Sequence, residues 1–176
     1  SVFDLLAASV HDEFIIRSVK SQVEKVKTKK AILSPGTAAP YFTVEDLDGK
    51  RRTLSEFSNK VLYVDVWATT CGPCIAQFDN LAKLAKKFEN SPHLEILSLN
   101  LDNTKEKWIR EGVLKYRPDG IQLWAGSKNF SSEFAINYLV DAIPRYILID
   151  KNGNLITGFA PGPDKVEPMI IAALEP

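Results

Sequence analysis

Hydrophobic positions change period several times along the chain, and each change marks an element. From Phe3 to Val26 they recur three or four apart, at Phe3, Leu6, Val10, Phe14, Ile15, Ile16, Val19, Val23 and Val26. Lys20, Glu24, Lys25 and Lys27 fill positions between them, so segment 1–33 predicts an amphipathic helix. Its stripe must be buried, either on this chain's own core or on an upstream domain or second copy. Ser34-Pro35-Gly36-Thr37-Ala38-Ala39-Pro40 is dense in breakers and reads as a linker over 34–40. A domain spanning 41–176 is expected beyond it.

There the pattern shifts towards strands alternating with helices. Residues 41–47 and 50–54 flank the turn signal Asp48-Gly49 and predict a β-hairpin, with Ser55 capping a short helical turn through Phe57. Residues 61–67 are apolar on both faces except at Asp65, the pattern of a strand at the centre of a covered sheet. A helix opens at Cys71-Gly72-Pro73-Cys74 and continues along Ile75, Phe78, Leu81, Leu84, Ala85 and Phe88. Residues 93–101 predict a strand and 102–116 a helix with Trp108, Ile109 and Val113 on one side. Arg117-Pro118-Asp119-Gly120 breaks that helix. A short strand at 121–124, a helix at 131–138, a strand at 146–150 and a turn at 151–154 follow. A last strand over 155–159 and a helix over 166–174 close the chain. This order implies an α/β fold, a central mixed sheet flanked by helices.

Composition narrows the function. Lys plus Arg and Asp plus Glu each total 22, so the net charge is zero and nothing favours a nucleic-acid partner. Apolar runs such as Ile147-Leu148-Ile149 are too short to cross a bilayer, and Ser1-Val2-Phe3-Asp4 lacks the basic start of a signal peptide. Two cysteines do not make a disulfide scaffold. His11 and His93 lie far from them without metal-ligand spacing, so no metal site is expected.

The cysteines therefore act as a pair. Thiolate is the reactive form of cysteine, and a thiol at a helix N-terminus gains it from unpaired N–H groups. Cys71 is thus expected as the exposed nucleophile and Cys74, one turn on, as the resolving thiol. Pro73 sits where a missing N–H costs little. Asp65, in a covered strand, should hold its proton more tightly than usual. It either serves as proton acceptor for Cys74 or simply bonds nearby backbone N–H groups.

The run from Val64 to Cys74 resembles the active-site strand and motif of thioredoxins. Ile143-Pro144 before the strand 146–150 is similar to their cis-proline loop. The preceding hairpin and the long stretch from Leu101 to Ile143 are closer to the extracytoplasmic branch typified by TlpA and ResA proteins. This resemblance covers roughly Pro40 to the C-terminus. It implies a thioredoxin fold with an inserted helical segment and a cis Pro144 against the cysteine pair. It also implies a substrate surface made by Trp67, Thr70, Gly72, Pro73, Ile143 and Pro144. Departures are Thr70 in place of Trp, Ser98 where a buried Lys often stands, and Gly72 where relatives often have Glu. Arg145 replaces a usual Thr, either to select acidic partners or to lie over the surface.

The expected function is thiol–disulfide exchange reducing client proteins, with an upstream thiol donor as the other partner. No cofactor is implied beyond the redox-active disulfide Cys71–Cys74. The implied location is extracytoplasmic, periplasmic or membrane-anchored, with the cytoplasm as the alternative. A peroxiredoxin-type peroxidase would need a Thr or Ser three residues before its cysteine and a Pro four earlier still. Ala68 and Val64 stand there. A metallochaperone would need a His close to the pair, and His93 falls after the intervening helix.

Overall fold

A computed structural model describes residues 15–21 and 31–175. Residues 15–21 are helical, inside the segment whose spacing predicts an amphipathic helix. The rest of that expected helix, at 1–14 and 22–30, lies outside the described residues. The chain divides into two units, Ser1–Ile32 and Leu33–Pro176.

In the second unit, the segments read as strands join one seven-stranded sheet. Its strands are β1 (Thr43–Asp46), β2 (Arg51–Thr53), β3 (Val61–Trp67), β4 (Leu94–Asn100), β5 (Ile121–Trp124), β6 (Arg145–Ile149) and β7 (Leu155–Thr157). Their order is β2-β1-β5-β4-β3-β6-β7. β3, β4 and β5 are parallel, whereas β1, β2, β6 and β7 run antiparallel to their neighbours. Every residue of β3 is buried, which its two apolar faces require.

Alternation along β3 sends Leu62, Val64 and Val66 into one core, with Phe42, Phe134 and Tyr138. It sends Val61, Tyr63 and Trp67 into the other, with Cys71, Cys74, Phe78, Trp108 and Ile170. Helices α1 (Gly72–Ile75), α2 (Phe78–Lys87) and α5 (Glu167–Leu174) contribute to this second core. α4 (Glu133–Asn137), N-capped by the Ser132 hydroxyl accepting from Ala135 N–H, packs in the first.

Two local expectations are corrected. The helix expected to run unbroken from the cysteines is divided at Ala76–Gln77, where Gln77 N–H turns back to the Cys74 carbonyl at 3.0 Å. Neither residue is a breaker, so packing imposes the division, and Phe78 meets Trp67 edge-on at 5.1 Å. The short turn Leu54–Phe57 is capped by Thr53, not Ser55, and the Glu56 carboxylate accepts from Thr53 N–H at 2.9 Å. Residues 36–39, within the 34–40 stretch read as a linker, are seated on the β6–β7 turn. Gly36 N–H donates to Leu155 O at 2.7 Å, Leu155 N–H to Thr37 O at 2.8 Å, and Ala39 N–H to Gly153 O at 2.9 Å. Leu33, just ahead of them, is buried.

The helix after β4, α3, begins as Lys105–Lys107, widens into a π segment at Trp108–Val113 and ends as Leu114–Tyr116. Thr104 caps it, and Arg117, in the left-handed region at φ 48°, ends it. Gly112 lets this helix approach closely. A Cβ there would stand 2.8 Å from the Trp67 ring and 3.2 Å from the Thr69 methyl.

Candidate active site

β3 delivers its C-terminal end to a short loop, Ala68-Thr69-Thr70, and then to Cys71. Cys71 is the N-cap of α1 and is disulfide-bonded to Cys74. Cys74 N–H donates to Cys71 Sγ at 3.2 Å. In the dithiol form, the same donor is placed to stabilise a Cys71 thiolate. Cys71 is 8% exposed and Cys74 1%, so Cys71 is the more accessible sulfur of the two. Thr70, Gly72 and Pro73 are all exposed around the pair.

The Ile143–Pro144 peptide is cis. Ile143, half-buried, packs against the core that holds both cysteines, so this loop and the CxxC turn share one edge of the sheet. Trp67 corrects its expected place in the substrate surface. It is fully buried, and its Nε1–H donates to Ser98 Oγ at 2.9 Å. Ser98, where a lysine often stands in thioredoxins, is thus a neutral support for the indole. His93 is exposed at the N-terminal side of β4, whereas Cys71 follows the C-terminal end of parallel β3. Seven residues of strand, about 3.3 Å each, separate those two edges.

Asp65 lies on the cysteine-bearing face, two residues from Tyr63 and from Trp67. Its register partners are Ser98 on β4 and Tyr146 on β6. Tyr63 and Tyr146 stack at 5.7 Å, and Tyr63 Oη donates to Pro161 O at 2.9 Å. Burial pushes the Asp65 carboxyl up to about 7. A carboxyl with that affinity can take and return a proton near neutrality. It also couples stability to pH. The folded state holds this proton more tightly than the unfolded chain, so the stabilisation is complete below about pH 4 and lost as pH rises through about 7. In the oxidised protein the loss is expected to be on the order of 4 kcal/mol at most. Asp65→Asn should flatten this dependence in denaturant titrations and slow turnover at the resolving step. Unchanged pH dependence together with full activity would leave Asp65 a packing residue.

One set of residues escaped the sequence reading. Asp102 is 3% exposed and grips the loop ahead of Cys71. Its carboxylate accepts from Thr69 N–H at 3.0 Å and from Thr69 Oγ1–H at 2.8 Å. Asn100 Nδ2–H donates to the same carboxylate at 2.9 Å, and Lys107 stands 3.6 Å away. Trp124 Nε1–H bonds the Asp102 carbonyl at 2.7 Å. A buried charge is held only when paired and hydrogen-bonded, and Asp102 meets both conditions. The available signal was the alternation of Ser98, Asn100 and Asp102 with Leu97, Leu99 and Leu101, a polar rank inside an apolar strand.

Comparison with known proteins agrees with this geometry. Residues 34–172 match the Redoxin family. Thiol-disulfide oxidoreductase ResA of Bacillus thuringiensis subsp. konkukian (strain 97-27) is 30% identical over 132 residues, covering 73% of this chain and 71% of that protein. ResA of Bacillus subtilis (strain 168) is 37% identical over 76 residues, 43% of this chain and 42% of that protein. A crystal structure of a Bacteroides vulgatus protein, described as a candidate thiol-disulfide oxidoreductase, has a TM-score of 0.72 at 30% identity. The likeness covers 81% of this chain and 99% of that one. With a disulfide-bonded CxxC at the end of its central strand, the chain belongs to the Redoxin family as a ResA-like, thioredoxin-fold thiol–disulfide oxidoreductase.

Proposed function

We propose that this oxidoreductase reduces disulfides of client proteins outside the cytoplasm, with Cys71 attacking and Cys74 resolving. The observation that carries the reading is the pair itself: Cys71 more exposed, with Cys74 N–H directed at its sulfur. The Cys71 thiolate attacks one sulfur of the client disulfide, forming a mixed disulfide and releasing the other sulfur as a thiolate. Cys74 then passes its proton to Asp65 and attacks Cys71 Sγ. The client sulfur held in the mixed disulfide leaves, takes up a proton, and the Cys71–Cys74 disulfide forms. Two electrons pass to the client, and an upstream dithiol donor restores the pair. Thr70, Gly72, Pro73, Ile143 and Pro144 form the surface on which the client lies. The extracytoplasmic setting rests on likeness to ResA proteins. Among the described residues no helix is long and apolar enough to cross a membrane.

Direction is read by equilibrating the couple against glutathione. Thioredoxin, which shares the Gly-Pro dipeptide, lies near about −270 mV, and protein disulfide isomerase near about −180 mV. A value close to the first is expected here. A value at or above the second would make the protein an oxidant or isomerase.

A further inference from the structure

Arg145 follows the cis proline directly and is held in an unusual state. Its side chain is 11% exposed. The guanidinium carbon lies 4.1 Å from the centre of the Phe159 ring, and Nη2–H donates to Asp141 Oδ1 at 3.0 Å. Nη1 is buried and has no hydrogen-bond partner among the described residues. An unpaired buried donor on a charged group is costly and calls for an explanation. Guanidinium presents a planar fork suited to both oxygens of one carboxylate, yet Asp141 engages one nitrogen only. Asp141 itself is 87% exposed, a carboxylate free to swing away. Phe159, half in solvent beside the guanidinium, adds an apolar platform.

We infer that the Arg145 guanidinium, backed by Phe159, is a carboxylate-binding site that selects clients with a Glu or Asp beside their disulfide. Asp141 occupies it when no client is bound. The acidic residue displaces Asp141, bonds both nitrogens of the fork and satisfies the idle Nη1–H. An apolar residue next to it lies on Phe159. The reading rests on the proposal that clients dock along Ile143–Pro144, and it names their chemistry.

Two peptide disulfides, alike except for Glu or Gln next to the cysteine, provide the test. Turnover is measured with the disulfides. Binding to the oxidised protein is measured separately by NMR titration, with serine replacing cysteine in the peptides. The Glu peptide is expected to bind about five- to tenfold more tightly, with the turnover difference in KM and not in kcat. Raised salt should narrow the ratio. Arg145→Gln should bring it to near one, and Arg145→Lys, which keeps charge without the fork, should restore it only in part. Asp141→Asn, a change at an exposed side chain, should widen the ratio. Equal binding of the two peptides by the wild type, or a ratio unmoved in both Arg145→Gln and Asp141→Asn, would overturn the site. Preferential Glu binding without turnover of either disulfide would support the site and overturn the reductase reading instead.

Discussion

Cys71→Ser is expected to lose disulfide reduction by at least about a thousandfold, because a serine hydroxyl cannot replace the thiolate that opens the client disulfide. Cys74→Ser should lose turnover as fully but behave differently. Cys71 still attacks, nothing resolves the product, and the protein accumulates as a mixed disulfide visible as a mass increase equal to the client. The two outcomes differ because the cysteines differ in position. Cys71 sits at the turn with a backbone N–H aimed at its sulfur, and Cys74 faces the core formed by Trp67 and Phe78. Alkylation of the reduced protein at neutral pH should therefore mark Cys71 well before Cys74. Labelling of Cys74 first, or a mixed disulfide trapped in Cys71→Ser, would reverse the roles.

A chain beginning at Leu33 is expected to keep the stability and activity of the redox unit, whereas one beginning at Pro40 should lose roughly 3 kcal/mol or more. Leu33 is 3% exposed and packs where a Cβ on Gly158 would meet it at 3.2 Å. Removing a buried leucine alone costs about 2–5 kcal/mol. The same cut takes away the three backbone hydrogen bonds that fasten residues 36–39 to the β6–β7 turn, and the Ala38–Asn154 bridge. Single domains hold only about 5–15 kcal/mol of stability, so the shorter chain should unfold at a clearly lower denaturant concentration. Identical midpoints for the two chains would return residues 34–40 to the status of a linker. A lower midpoint for the chain beginning at Pro40 would place the start of the folded unit at Leu33 and not at position 41.

Period and punctuation alone were enough for the frame. Val61–Trp67 shows a both-sided apolar pattern, Asp48-Gly49 marks the β1–β2 hairpin, and the apolar-rich run after His93 marks β4. Each of these signals is local, so it survives into the structure almost unchanged. The chemistry was legible for the same reason: Cys71 and Cys74 are neighbours, and strand–CxxC–helix order places them without any distant contact. Asp65 could be put on the cysteine face by counting, because strand side chains alternate strictly.

Tertiary contacts decided the rest. Breakers in 34–40 signal only that no helix or long strand forms there, and a partner some 115 residues away determines whether such a segment hangs free or docks. The divided helix at Ala76–Gln77 contains ordinary helix formers, and the widened turn at Trp108–Val113 has only Gly112 as a weak one. Their irregularity comes from fitting Phe78 and Gly112 around one buried Trp67 ring. Trp67 next to the motif reads as surface until the sheet closes over it. Asp102 and Thr69 are 33 residues apart, and only parallel pairing of β3 with β4 brings them together. Arg145, likewise, is one more cation in the sequence. Packing against Phe159 and Asp141 leaves it buried with a donor to spare, a condition that exists only in three dimensions.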